Sequence, residues 1–297
     1  MSVFARAAAF GAACALACGP AACGLFYNLD ALGPGAADGA AGDALADSPV
    51  GSDAPTADGG ADADGATTGD AADAGGDGNP PPACASTRGR QMVSAGGVCI
   101  DATETTVDDY AIFLAAMADA GPPPPPCDFT TTYEPDAWSS QKFDHEKPVS
   151  VDNFCLALSY CQWAGKHLCG KLGGGTVPVG DAGIDKTNNE WFHACSHDGD
   201  FVFPYGNTYA GDNACPFPPA DDVGTHPLCV GGYPGLFDMT GNIPEWVDAC
   251  EENGQTRDQD ECTVMGIFEG GQGTTCSDHA LANRVTGLAV GIRCCAE

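Results

Sequence analysis

The sequence predicts a loop-rich, disulfide-stapled domain of short helices and strands, and three observations point there. Glycine and proline are abundant, 41 and 22 of 297 residues, and both punctuate regular structure. Of 17 cysteines, 14 lie between Cys84 and Cys295. Apolar patterning in that region persists for only a few residues before a turn residue interrupts it.

At the N-terminus a single basic residue, Arg6, precedes an apolar stretch from Ala7 to Ala17. That stretch is too short to cross a bilayer but has the length of a signal-peptide core, so export is expected. Cys18 follows Ala-Leu-Ala and Cys23 follows Pro-Ala-Ala, and both resemble the modified cysteine of bacterial lipoproteins, although neither has the usual Leu three residues earlier. Cutting before Cys23 removes Cys14 and Cys18, gives Cys23 the lipid and leaves an even 14 thiols for pairing. Residues 1–23 are therefore read as a lipoprotein-type signal, with an ordinary cleaved signal peptide as the alternative. In an exported chain without a Cys-x-x-Cys pair, these cysteines read as disulfides rather than as a zinc cluster.

Residues 24–83 form the next segment. From Gly33 to Pro82 it is almost wholly Ala, Gly, Asp, Ser, Thr and Pro, with no Lys, Arg or aromatic residue. Such a composition cannot offset the entropy of ordering and reads as a spacer between anchor and domain. The domain itself spans 84–297. It carries 30 acidic and 10 basic residues of a chain whose formal net charge is −30. A field of that sign repels phosphate backbones and anionic headgroups, which argues against nucleic acid as a partner and against electrostatic adsorption to membranes.

Within the domain, Met92-Val93 and Val98-Cys99-Ile100 read as a strand pair. A helix is expected from Thr106, capped by its hydroxyl with Asp109 near N3, and Val107, Tyr110, Leu114 and Met117 fall on one face. Gly121 and five prolines, Pro122 to Pro126, end it and open a loop to about Lys147. Asp152 to Gly165 reads as a second helix with Phe154, Leu158 and Cys161 on one side and Gly165 as its C-terminal cap. The glycine-rich run Gly170 to Asn188 is a surface loop.

The most informative stretch is Gly235-Leu-Phe-Asp-Met-Thr-Gly-Asn-Ile-Pro-Glu-Trp-Val-Asp248. It resembles the signature of the formylglycine-generating enzymes, or sulfatase-modifying factors, with Pro244 where those have a large aromatic. The likeness continues in Ser159-Tyr-Cys-Gln-Trp-Ala-Gly-Lys-His-Leu168, Asn189-Glu-Trp-Phe-His-Ala194, Phe203-Pro-Tyr-Gly-Asn207 and the closing Gly287-Leu-Ala-Val-Gly-Ile-Arg-Cys-Cys295. Together these cover about Met92 to Cys295. The resemblance implies an α+β, C-type-lectin-like fold of low regular secondary structure. It also implies structural calcium, held by Asn242, Glu245 and the Gly241 turn, with a weaker second site at Asn213, Ala214 and Asp222. Carboxylate, amide and carbonyl oxygens around a tight turn suit that hard ion.

Active relatives use two cysteines about five residues apart to bind copper(I), as soft thiolates suit that ion. Here the corresponding run, Glu269-Gly-Gly-Gln-Gly-Thr-Thr-Cys-Ser-Asp-His279, has only Cys276. Cys276 is thus the candidate catalytic thiol, with Cys294 or Cys295 as an expected disulfide partner instead. Local loop closure suggests Cys169 with Cys195, Cys215 with Cys229 and Cys250 with Cys262. His145, His167, His193, His197, His226 and His279 show no metal-helix spacing, and no Gly-x-Ser-x-Gly elbow or phosphate-binding glycine loop occurs. Two functions follow: an extracytoplasmic oxidoreductase that converts a protein cysteine to formylglycine with copper, or a catalytically diverged, lipid-anchored module that binds a protein or glycan.

Overall fold

The computed structural model describes residues 84–86, 88–179, 187–211, 214–216, 219–252, 254, 256–267 and 273–297. The signal and spacer, Cys23, Asn213 and the paired glycines Gly270 and Gly271 lie outside the described residues.

A hairpin opens the domain. β1 (Met92–Ala95) pairs antiparallel with β2 (Val98–Asp101), turning through Gly96 and Gly97 at positive φ. α1 (Val107–Ala116) begins where expected, because Thr106 and Asp109 complete a reciprocal capping box. Its buried face is Val107, Tyr110 and Phe113, while Leu114 and Met117 pack only partly against the core. A short α2 (Trp138–Gln141) leads to β3 (Val151–Asn153). Asp152 and Asn153 are therefore strand residues, and Asn153 caps α3 (Phe154–Trp163) through the Cys155 amide. Gly165 follows α3 at φ 75°, the left-handed conformation that ends a helix.

β4 (His167–Leu168) precedes the loop that leads to α4 (Glu190–Cys195), whose N-cap is Asn189. Its helical path stops at Ser196, and His197 and Asp198 then take positive φ, so His193 and His197 do not share a helix face. β5 (Glu245–Glu251), β6 (Glu261–Met265), β7 (His279–Asn283), β8 (Val285–Ile292) and β9 (Cys294–Ala296) complete the chain. Two sheets result, of order β1-β2-β9-β4 and β3-β8-β5-β6-β7, with β5 and β8 parallel and the remaining pairs antiparallel. The closing segment is thus two strands rather than one. It leaves the five-stranded sheet at Ile292 and enters the four-stranded sheet at Cys294, which puts Arg293 at the crossing.

Two apolar clusters fill the body. One gathers Tyr110, Phe113, Phe154, Tyr160 and Trp246, and the other Ile100, Trp191, Leu236, Met239 and Met265. All fourteen cysteines from Cys84 onward are paired, as Cys84–Cys99, Cys127–Cys155, Cys161–Cys294, Cys169–Cys295, Cys195–Cys276, Cys215–Cys229 and Cys250–Cys262. Two of the expected local closures are formed. The third is not: Cys169 and Cys195 each reach a distant partner, and Cys276 joins Cys195 rather than Cys294 or Cys295. The reason is register, since β4 lies beside β9 with His167 opposite Cys295 and Leu168 opposite Cys294. This brings the end of the chain to residues 167–169. So many disulfides belong to an oxidising, extracytoplasmic environment. No helix among the described residues is long and apolar enough to cross a membrane.

Candidate functional site

The turn that carries the signature is built on unusual backbone. Asp238, Gly241 and Asn242 hold φ of 56°, 80° and 46°. A Cβ at Gly241 would meet the carbonyl oxygens of Cys215 and Pro216 at 2.7 and 2.8 Å, so only glycine permits this approach. Asn242 is buried. Its amide donates to the Pro216 carbonyl at 2.8 Å, and its Oδ1 accepts from the Asp221 amide at 2.9 Å. The Asn242 Nδ2 is buried and has no acceptor among the described residues.

Glu245, three residues on, opens β5 and is buried against Arg293. The guanidinium Nε donates to both carboxylate oxygens at 3.0 Å, Nη2 reaches Oε1 at 2.9 Å, and the Trp191 indole donates to Oε2 at 2.6 Å. The remaining guanidinium donors go to backbone: Nη1 to the Asp101 carbonyl at 2.8 Å, Nη2 to Phe237 and Asp238 at 3.0 and 3.2 Å. One arginine thus ties β5, the signature turn and β2 together at the crossing between the sheets. Burial works against its charge, but Glu245 and Glu104 more than compensate and raise its pKa.

The same centre holds more acid than base. Glu104 is fully buried, it meets Arg293 Nη2 at 3.8 Å, and among the described residues neither of its side-chain oxygens accepts a hydrogen bond. Burial, reinforced by repulsion from Asp238, holds its pKa well above the ordinary carboxylate value. Burial also raises Glu245 and Asp238, and lifts Asp101 to about 6 against the pull of Lys166, with which it forms a buried ion pair.

Copper and calcium were the groups that the family resemblance implies, and the donor atoms can be compared with their needs. Cys276 is 1% exposed and bonded to Cys195 of α4, while its amide donates to the Val202 carbonyl at 2.9 Å. No thiolate is available there for copper(I). The Asn242 and Glu245 oxygens that would bind calcium are occupied by the Asp221 amide, Arg293 and Trp191, so as arranged they do not fit a cation. Ala214 is buried, its amide donating to Gly211. Asp222 is exposed and its carbonyl accepts from the Thr225 hydroxyl. Among the described residues no group of three or more His, Cys, Asp or Glu side chains is placed to hold a metal.

Sequence reasoning singled out Glu245 but missed its partners Arg293 and Trp191, and missed Glu104 as a buried acid beside the same guanidinium. One signal was there. In Gly287-Leu-Ala-Val-Gly-Ile-Arg-Cys-Cys295 a single charge stands among apolar residues and cysteines, and a charge in a core segment needs a buried counter-charge.

A family model for the sulfatase-modifying factor enzyme 1-like domain matches residues 65–294. Among solved structures, the chain is similar to CarF, at 16% identity over 67% of this chain and 85% of that one, with a TM-score of 0.42. It is also similar to PvdO from Pseudomonas aeruginosa, at 17% identity over 67% and 80% of the two chains, with a TM-score of 0.39. A search of curated proteins gives no match. With ordered motifs, a loop-rich mixed fold and a matched span of more than half its length, the chain belongs to the sulfatase-modifying factor enzyme 1-like domain family.

Proposed function

We propose that this is an exported, lipid-anchored sulfatase-modifying-factor-like protein that has lost the oxidation chemistry and serves as a binding module. The observation that carries the reading is the Cys195–Cys276 disulfide. Copper(I) chemistry on this scaffold needs a pair of converging thiolates. Here the thiol in the corresponding run is consumed by a buried bond to α4, and neither disulfide sulfur offers an anionic donor. The apolar N-terminal stretch, the small residues before Cys23 and the Ala/Gly/Asp-rich spacer support anchoring through a lipid on Cys23, with the acidic body held away from the bilayer. A protein or a glycan is the partner such a body suits, because its negative field disfavours nucleic acid.

Copper(I) titration of the full chain, with and without prior mild reduction, together with an aldehyde assay on a Cys-x-Pro-x-Arg peptide, tests the reading. Neither stoichiometric copper nor aldehyde is expected. Product formation would restore the oxidoreductase reading. The anchor is tested separately by detergent-phase partition, which Cys23→Ala should abolish.

A further inference from the structure

The five-stranded sheet ends at β7, which pairs with β6 along its whole length without a bulge. Which of its backbone groups that pairing uses follows from parity. The Arg284 amide donates to the Asp260 carbonyl and the Gly266 amide to the Asp278 carbonyl, so the even-numbered residues here direct their backbone to β6. On the other side of β6, Cys250 and Cys262 stand 4.0 Å apart at Cα, the close spacing of an antiparallel pair that exchanges no hydrogen bonds, which gives the same parity. His279, Leu281 and Asn283 therefore turn their N–H and C=O groups away from the sheet. Among the described residues no strand pairs with that side, and no backbone hydrogen bond outside the β6 ladder reaches these three. Natural sheets blunt such edges with lysine, proline or a bulge, but His-Ala-Leu-Ala-Asn has none of these, and Leu281 at its centre is 48% exposed.

The side chains beside the edge select the strand that fits it. Residues directly opposite one another share a face, so Glu251 of β5, Glu261 of β6 and Asn283 of β7 form one row across the sheet. Both glutamates are exposed, and like charges set opposite each other repel. The basic residues that flank these strands in sequence are engaged elsewhere, Arg257 with Asp128 and Arg284 with Asp260. The next position in the row lies beyond Asn283, about 10 Å from Glu261 at two strand spacings. A lysine or arginine there reaches back over Asn283 and relieves the repulsion.

We propose that the outer edge of β7 takes up an extended segment of a partner protein as a sixth strand, with an apolar residue facing Leu281 and a lysine or arginine facing Asn283. Backbone hydrogen bonds supply the attachment and the alternate side chains the selectivity. A second copy of this chain fits less well, because antiparallel pairing about Leu281 sets His279 against Asn283 and brings two acidic bodies together. The inference gives the binding reading its partner class and rests on that reading only in expecting a partner.

Titration of the isotope-labelled full chain with acetyl-Thr-Lys-Thr-Val-Thr-Thr-amide tests it by magnetic resonance. The amides of His279, Leu281 and Asn283 should shift and exchange more slowly with solvent. N-methylation of the peptide valine, whose N–H faces the Leu281 carbonyl, should abolish binding, and N-methylation of the threonine after it should not. Glu251→Gln with Glu261→Gln should weaken the peptide about two- to fivefold, the size of an exposed ion pair, and leave unchanged a peptide with threonine in place of lysine. Leu281→Pro removes an N–H that the β6 ladder does not use, so it should abolish binding while Tm is kept. No shift at these amides, equal binding of the N-methylvaline peptide, or a dimer of the free chain that Leu281→Pro dissolves would each overturn the proposal. If Leu281→Pro does not fold, the two N-methylated peptides decide alone. Aldehyde formation alongside peptide binding at this edge would overturn the loss of catalysis and leave the sixth strand standing.

Discussion

Replacing Arg293 by methionine removes a cation from the crossing between the two sheets and leaves its neighbours in place. In the native protein that guanidinium makes close contacts with both oxygens of Glu245 and with the Asp101, Phe237 and Asp238 carbonyls, all in an interior where Arg293 is 0% exposed. Breaking a buried pair by deleting one partner costs about 3–5 kcal/mol, because an uncompensated charge remains. For a body of this size that corresponds to a fall in Tm of roughly 6–20 °C. Near-UV circular dichroism of the oxidised protein at pH 7 measures it. Two internal checks separate the electrostatic cause from lost packing. Adding Glu245→Gln to Arg293→Met should recover part of the loss, since the orphaned charge is gone. Lowering the pH should also narrow the gap: burial already raises the Glu245 pKa, so without Arg293 the carboxyl becomes neutral readily on acidification and the penalty lapses. A single variant that melts with the native protein, or a double variant as unstable as the sum of the two singles, would refute the argument.

Glu104 supplies a prediction of opposite sign. Its folded-state pKa stands well above the ordinary 4.5, so the stability it allows is full below that value and is lost as the pH rises through the folded pKa. Glu104→Gln, which cannot ionise, should therefore match the native protein near pH 4 and exceed it at neutral pH, by about 1.4 kcal/mol for each unit through which the folded pKa is raised; equal pH profiles would refute this. Metal removal is expected to leave Tm unchanged, because the Asn242 and Glu245 oxygens are satisfied by protein donors; a fall in EDTA that calcium reverses would show that the turn binds a cation. Mass-tagging of the native protein should find no free thiol among Cys84 to Cys295. The paired substitution Cys161→Ala with Cys294→Ala should cost about 2–3 kcal/mol on loop entropy, read by chemical denaturation, because Cys169–Cys295 still closes the long loop and only the ring of roughly ten residues between the two bonds opens.

What was legible in the sequence was local. The Thr106–Asp109 capping box, the Met92–Asp101 hairpin and the Cys215–Cys229 and Cys250–Cys262 closures each depend on residues less than twenty positions apart, where spacing carries the physics. The motif order also announced the family. Cys169–Cys195 failed because loop length favours near partners, whereas the observed bonds follow from β4 pairing with β9 across a separation of 126. The α1 face shifted from Leu114 and Met117 to Phe113 because the aromatic ring packs against Tyr110 and Tyr160, a contact that periodicity alone cannot rank. Asn242 and Glu245 were recognised as special, but their neighbours Asp221, Trp191 and Arg293 come from 21, 54 and 48 residues away. No window on the signature contains them.

The strand change at Arg293 bears on when the protein can fold. A ribosome delivers residues 92–265 first, yet the five-stranded sheet lacks the strand that joins β3 to β5, and the other sheet lacks the one that joins β2 to β4, until 285–296 emerge. Neither sheet can therefore be completed on a nascent chain before residues 285–296 are made. The Cys161–Cys294 and Cys169–Cys295 bonds share that delay, so the long-range covalent frame closes together with the sheets rather than ahead of them.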